Sequence, residues 1–336
     1  MRQRIILIAA LASVTLLVAG CGKQDNPAQE QNSISFQAGC SLLRDDATKE
    51  SAAPMSAGDQ IPEFRVYGTK TVGGTRYEVF SGDLVEKILT GWTYSPIRFW
   101  DSNASSYEFL GVSGPQGPQT INFENNTPLT AKVTYNPTVS QYDLMAACYH
   151  RNSNAQGTLD MSDPVALQFE HFLSAVSVTV YNDSPTQEIT VLEYGFRNLY
   201  IESDVQFTYT SSTPQAQWLE LSKKKNTTDL LLAHEPAGET ATVWNMMIPQ
   251  NLNPLSLAPL LMLKYRLGSD PSGEVIETPI RLSNMTTLSG NKITEWEPGK
   301  KYTYNIHIRY GGGITVHVVT TEWDEVKAGT PGLIVL

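Results

Sequence analysis

The sequence predicts an all-β fold built from two antiparallel β-sandwich domains. From Phe64 onward, the chain consists of short segments in which apolar and polar residues alternate, separated by Gly, Pro, Asn and Asp. Alternation with a period of two places the apolar side chains on one face of a strand, and frequent turn residues favour antiparallel connections. Helical periodicity is scarce, and its best candidate, residues 84–89, is too short to shape the fold.

The alternating segments run through both halves of the chain. They lie at residues 64–67, 77–80, 131–135, 142–145, 165–169, 176–180, 303–308 and 314–318. Gly311, Gly312 and Gly313 separate the last two segments, which predicts a β-hairpin. The pattern strengthens after about residue 165, so we expect an N-terminal sandwich over residues 61–165 and a C-terminal sandwich over residues 166–336.

The N-terminus has the form of a bacterial lipoprotein signal. Residues 1–20 carry Arg2 and Arg4, an apolar run too short for a comfortable membrane span, and small residues directly before Cys21. This pattern predicts cleavage before Cys21 and acylation of that cysteine, which would anchor the mature chain to a membrane outside the cytoplasm. An ordinary secretory signal followed by a chance cysteine is the alternative.

Residues 21–60 are rich in Gln, Asn, Ser, Ala and Asp, which is typical of a flexible tether. The apolar island at residues 34–36 is a candidate first strand. Two further cysteines, Cys40 and Cys148, either pair in an oxidising compartment or remain free thiols. Their spacing excludes a zinc ribbon.

The composition argues against several functional classes. A net charge of −10 without a basic cluster disfavours nucleic-acid binding, and the lysine run at 223–225 is better explained as a solvated loop. The chain has no nucleophile elbow, phosphate loop, zinc-protease motif or calcium loop, and its carboxylates are scattered. We therefore expect no enzymatic activity, no metal and no organic cofactor. His171 is interpreted as a structural histidine.

The stretch from residue 92 to 101 is rich in aromatic side chains, among them Trp92, Tyr94 and Trp100. Exposed rings of this kind would form a platform for carbohydrate, whereas buried rings would fill the sandwich core. Alternation along the segment, with Pro96 at an edge or bulge, favours the core.

Three motifs resemble, in order, those of the Bacteroidetes fimbrillin-like (Mfa-like, FimA-like) proteins. They are the stretch at 92–101 with Tyr107, Phe109 and Pro115, the strand at 165–178, and the hairpin at 296–306 with Trp323. The resemblance spans residues 92–323. It implies two transthyretin-like β-sandwiches and a subunit of an outer-membrane, cell-surface fimbrium (a type V pilus) that supports adhesion.

The resemblance also implies a route of assembly. Such pilins travel as lipoproteins, an arginine-specific protease removes an N-terminal segment with its strand, and the C-terminal strand of a neighbour fills the groove. The candidate cleavage site here is Arg44–Asp45, with Arg65 as a weaker one inside a strand-like run. The candidate donor strand comprises Leu333, Ile334, Val335 and Leu336. This tail could equally fold back onto its own subunit, and a Cys40–Cys148 bridge would retain the excised segment.

Two other functions remain open at this point. The chain could be a fimbrial tip adhesin that binds a host glycan or protein, which would need exposed aromatic side chains on loops. It could also be a permanently lipid-anchored base subunit or surface lipoprotein with an intact N-terminus. The expected partners are other pilus subunits, in a homo- or hetero-polymer, and the membrane that holds the lipid on Cys21.

Overall fold

The computed structural model describes residues 32–40, 61–113, 120–122, 128–139, 142–211, 213–225, 230–231, 244–254 and 257–322. Across these ranges the chain forms strands and two short 3₁₀ turns, at Leu282–Asn284 and Tyr310–Gly312, and no α-helix occurs among them. The predicted all-β class is therefore confirmed.

The strands are numbered in chain order. The first nine are β1 (Phe36–Cys40), β2 (Glu63–Val72), β3 (Thr75–Ile88), β4 (Gly91–Tyr94), β5 (Ser106–Ser113), β6 (Thr120–Asn122), β7 (Thr130–Tyr135), β8 (Met145–Asn152) and β9 (Val165–His171). The next seven are β10 (Ser174–Asn182), β11 (Ile189–Arg197), β12 (Tyr200–Thr208), β13 (Gln215–Lys225), β14 (Leu230–Leu231), β15 (Asn245–Met247) and β16 (Gln250–Asn251). The last six are β17 (Leu260–Leu267), β18 (Val275–Arg281), β19 (Thr286–Thr287), β20 (Glu295–Trp296), β21 (Lys300–Ile308) and β22 (Ile314–Glu322).

The first sheet has seven strands in the order β1-β9-β8-β5-β2-β3-β4. All its ladders are antiparallel except β1–β9, which is parallel. The sheet curls around a core of its own, since side chains from all seven strands form one buried cluster. Its two outer strands approach each other, and an isolated bridge joins Ser33, before β1, to Phe99, after β4.

The second sheet, β13-β12-β7-β6, covers the opposite face of the first sheet. A second buried cluster lies between the two sheets and includes Tyr67, Leu110, Tyr135 and Phe207. This sheet combines β7 from the first half of the chain with β12 from the second half, paired antiparallel from Thr130 opposite Thr208 to Tyr135 opposite Ser203.

The expected boundary between residues 165 and 166 falls inside β9, which pairs with β1 and β8 in the first sheet. The boundary therefore does not separate the strands of one sandwich from those of the other, because β9 extends past it within the first sheet. The alternating pattern of β9 marks its buried face but carries no information on which strands lie beside it.

The third sheet, β15-β10-β21-β22-β19, packs on the fourth, β14-β11-β17-β18, over the third core cluster. Trp296 lies at its centre and donates from Nε1 to the Tyr304 hydroxyl at 2.8 Å. The predicted hairpin is confirmed: β21 and β22 pair antiparallel across the turn at Tyr310–Gly312. A small ladder, β16–β20, completes this half.

Two local expectations were wrong. Residues 84–88, in the best helix candidate, belong to β3, because Val85 is buried in the first core and its neighbours pair with β2. Residues 142–144, expected as strand, precede β8, which begins at Met145. At residues 84–88, tertiary pairing overrides local propensity.

Candidate functional site: the groove that holds the first strand

The first strand lies in a groove between two segments that are distant in sequence. On one side, β1 pairs with β9 from Phe36 opposite Val165 to Cys40 opposite Phe169, and the Val165 amide donates to the Ser35 carbonyl at 2.8 Å. On the other side, the Ile34 amide donates to the Arg98 carbonyl at 2.9 Å. We call the site bounded by β9 and residues 92–100 the β1 groove.

The inward side chains of this segment fill the core of the first sheet. Ile34, Phe36 and Ala38 alternate along it and are 1%, 6% and 7% exposed. Four rings surround the ring of Phe36, and the centroid distances are 5.9 Å to Phe64, 5.5 Å to Phe80, 5.4 Å to Tyr94 and 6.2 Å to Phe109. Without β1, the floor of the groove would be an exposed apolar surface with an unpaired edge along β9.

Tyr94 connects the wall of the groove to its occupant. Its buried hydroxyl donates to the Ile34 carbonyl at 2.6 Å and accepts from the Arg98 amide at 3.2 Å. Burial raises the pKa of Tyr94, so the hydroxyl keeps its proton and remains a donor at physiological pH.

Arg98 holds the wall segment in position. Its guanidinium donates to the carbonyls of Val79 at 3.1 Å and Pro96 at 2.9 Å, and pairs with Asp83 at 3.2 Å. The same group lies 5.9 Å from the centre of the Phe80 ring. Because these contacts fix the backbone of the segment, the Arg98 carbonyl is presented to Ile34.

Trp100 closes one end of the groove. Its amide donates to the Asn32 carbonyl at 2.9 Å, and its ring packs edge-on against Tyr107 at 4.7 Å. The guanidinium of Arg151 lies 4.7 Å from the centre of the Trp100 ring and donates to the Asp160 carbonyl at 2.8 Å. This buried arginine therefore fastens the chain after β8 onto the groove.

The aromatic stretch at 92–101 is thus core, as the alternation favoured. Tyr94 and Trp100 are buried, and Trp92 is half-buried with its ring centroid 5.1 Å from that of Phe64. The exposed apolar side chains of the stretch are Ile97 and Phe99. A carbohydrate platform made of Trp92, Tyr94 and Trp100 is incompatible with this burial.

Two glycines make room for the rings. A Cβ on Gly68 of β2 would lie 3.1 Å from atoms of both Phe109 and Phe80, and one on Gly111 of β5 would lie 2.9 Å from Phe169. Rings therefore pack directly against the backbone at both positions, so the absence of a side chain there is a packing requirement.

Several residues singled out in the sequence lie outside the described part of the chain. They are Cys21, Arg44, Asp45, Pro115, Trp323, Leu333, Ile334, Val335 and Leu336. The apolar island at 34–36 is placed: Phe36 opens β1 and Ile34 lies just before it. Arg65 lies within β2, paired with both β3 and β5, and donates to the Gly82 carbonyl at 2.9 Å.

Cys148 is a free, buried thiol in β8, and burial raises its pKa to about 12. The structure therefore gives no support to the bridge between Cys148 and Cys40. His171 ends β9 with its side chain 7% exposed and Nδ1 2.7 Å from a carboxylate oxygen of Asp143. This setting suits the structural role expected of His171.

A cleft lies away from the groove, beside the end of β22. It encloses about 350 Å³ and is lined by polar residues that include Asn291, Glu295, Lys300 and Glu322. Within the described ranges, no group of three His, Cys, Asp or Glu side chains is placed to hold a metal ion. Over the same ranges, no helix is long and apolar enough to cross a membrane.

Comparison with known structures finds a similar fold in two proteins of Bacteroides. A protein from Bacteroides uniformis assigned to cell adhesion is similar over 87% of this chain and 98% of its own, with 14% identity and a TM-score of 0.52. One with the same assignment from Bacteroides ovatus is similar over 88% of this chain and 98% of its own, with 12% identity and a TM-score of 0.54. Among curated proteins, none matches the chain.

The stacked sheets of this chain define the class: an all-β protein whose first strand is enclosed by a curled sheet. The profile of the fimbrillin-like family matches residues 48–323. The chain therefore belongs to the fimbrillin-like family.

Proposed function

We propose that this chain is a structural, non-enzymatic subunit of a cell-surface fimbrium. It is exported as an outer-membrane lipoprotein through Cys21 and assembled by strand exchange after proteolysis removes its N-terminal segment. Membership in the fimbrillin-like family supports the fimbrial role. The observation that carries the assembly step is the enclosure of β1, a separate strand that fills an apolar groove.

The position of Arg44 in the sequence supports processing there. Arg44 follows β1, which ends at Cys40, and precedes β2, which begins at Glu63. A cut after Arg44 therefore leaves β1 on the same fragment as Cys21 and its lipid. A cut at Arg65 would sever β2 between two paired neighbours, and the structure disfavours it as a site.

The energetics require the vacated groove to be refilled. Loss of β1 removes burial worth about 1.5–3 kcal/mol for each large apolar side chain. It also leaves the Val165 and Trp100 amides and the Arg98 carbonyl without the partners they have on residues 32–35. Ordering a new strand costs about 1–2 kcal/mol per residue, so side-chain burial alone does not drive the exchange. Restoring the backbone pairing supplies the remainder.

The proposed donor is the apolar tail, Leu333, Ile334, Val335 and Leu336, entering the groove of a neighbouring subunit. The partners are accordingly other subunits of the same fimbrium. A permanently anchored subunit is the competing function, because an enclosed β1 also suits a protein that keeps its N-terminus.

The test is the N-terminal sequence of this chain in fimbriae sheared from cells, with electron microscopy of the same material. The proposal expects a start at Asp45 in assembled subunits, loss of assembly in Arg44→Ala, and normal processing in Arg65→Ala. Fatty-acid labelling should disappear in Cys21→Ala. A start at Cys21 in every assembled molecule would overturn processing and favour the anchored subunit.

A further inference from the structure

The β1 groove has three inward positions of unequal size. Ile34 and Ala38 flank a central position that holds the ring of Phe36. All four rings around Phe36 meet it at steep interplanar angles between 69° and 88°. Edge-to-face contacts of this kind are favourable for aromatic pairs beyond the area they bury.

The walls of this central position are held independently of Phe36. Phe80 contacts Tyr94 at 5.3 Å between ring centroids, and Phe64 contacts Phe169 at 5.3 Å. Phe80 and Phe109 also press against the backbone at Gly68, where a Cβ would lie 3.1 Å from each. Rings packed in this way have little room to collapse inward, so an aliphatic replacement for Phe36 leaves a void that costs affinity.

From this packing we infer that the β1 groove selects a strand with an aromatic side chain at the central inward position, and that a pilus subunit whose donor strand carries such a ring fits it better than the aliphatic tail of a second copy of this chain. The inference rests on the proposed strand exchange and specifies its partner. The incoming strand should carry an aliphatic, an aromatic and a small side chain at its three successive inward positions. Because the aromatic is central, it is needed whichever direction the incoming strand runs.

The tail of this chain lacks that ring. Run antiparallel to β1, Gly332, Ile334 and Leu336 would occupy the sites of Ala38, Phe36 and Ile34. The small and aliphatic positions then match, but the aliphatic Ile334 stands where the groove holds a ring. The alternate face, Leu333 and Val335, also offers no aromatic side chain. The tail of a second copy is thus a poor occupant of this groove.

The inference can be tested by peptide exchange into the full mature chain. A recognition sequence for a specific protease, inserted after Arg44, makes the cut independent of the natural processing site. The nicked protein is then incubated with labelled peptides, and the label that stays with it through size exclusion is measured. The first peptide is residues 32–40 with Cys40→Ser, and two variants of it add Phe36→Leu or Gln37→Leu. The second peptide is the tail, residues 329–336, and two variants of it carry Ile334→Phe or Leu333→Phe.

We expect the 32–40 peptide to exchange, Phe36→Leu to reduce its affinity about tenfold or more, and the outward control Gln37→Leu to leave it unchanged. The tail peptide should bind weakly, gain about tenfold from Ile334→Phe and gain nothing from Leu333→Phe. Equal binding by the Phe36→Leu peptide or by the unmodified tail would overturn the aromatic selection while leaving strand exchange intact. If the 32–40 peptide that carries only Cys40→Ser fails to exchange, strand exchange itself is overturned, and the selection with it.

Discussion

The hydroxyl of Tyr94 donates a 2.6 Å hydrogen bond to the carbonyl of Ile34, a residue 60 positions earlier in the chain. This bond joins the aromatic stretch at 92–101 to the residue two positions before β1. One of the three motifs that carry the family resemblance therefore forms a wall of the β1 groove.

Removing that hydrogen bond should weaken the attachment of residues 34–40 to the wall of the groove. We expect Tyr94→Phe to lower the free energy of unfolding by about 1–2 kcal/mol, because the buried Ile34 carbonyl loses its donor while the ring is kept. Amide hydrogen exchange at residues 34–40 should rise more than in the third and fourth sheets. Tyr77→Phe is the control, since Tyr77 is exposed. If both substitutions change the free energy of unfolding equally in urea titrations, the stabilising role of the Tyr94 hydrogen bond is contradicted.

Phe36 should be the largest single contributor to the stability of β1. Phe36→Ala leaves a ring-sized cavity among four aromatic side chains and should cost about 3–5 kcal/mol in chemical denaturation. Gln37→Ala, on the neighbouring outward position, should change stability by less than about 0.5 kcal/mol. A loss below about 1 kcal/mol for Phe36→Ala would show that the core tolerates an empty groove.

Gly68 should not tolerate a side chain. In Gly68→Ala, the new Cβ would lie 3.1 Å from atoms of Phe109 and Phe80, so the rings must shift, at a cost of about 1–3 kcal/mol. Gly313→Ala is the matched control, because a Cβ there meets nothing within 4 Å and φ is −64°. Thermal unfolding of both variants checks the prediction. Similar midpoints would contradict the packing described at Gly68.

Cys148 should be unreactive in the folded protein. With its pKa raised to about 12, only about one thiol in ten thousand is ionised at pH 8, and burial also blocks access. In a Cys21→Ser, Cys40→Ser background, a thiol reagent should label the protein after denaturation in urea but not before. The thiolate fraction rises with pH, so any native reaction should quicken toward pH 10. Rapid labelling at pH 8 in the native state would contradict the burial of Cys148.

Sequence patterns located most elements but not their neighbours. Alternation identified the inward residues of β9, β21 and β22, because burial on one face of a strand imposes that period directly. It also marked Tyr94 and Trp100 as core. The pattern does not specify which strands pair, so the parallel β1–β9 ladder and the contact between Ile34 and Tyr94 were not predicted.

The groove itself left one signal in the sequence. Ile34, Phe36 and Ala38 alternate through the apolar island at residues 34–36, a candidate strand, and just beyond it. Their alternation indicates a buried face, yet the polar residues around the island suggested a tether. Contacts with residues after position 90 hold this segment in the first sheet. A local sequence pattern does not reveal such long-range contacts.

The ladder between β7 and β12 has a mechanical consequence. Because a strand of the first half is paired along six residues with a strand of the second half, the two halves of the chain share one sheet and are not joined by a linker alone. Tension that pulls them apart has to break a row of backbone hydrogen bonds and open the apolar layer beneath it. Pulling β7 away from β12 would therefore meet a whole row of backbone hydrogen bonds and not a loose linker.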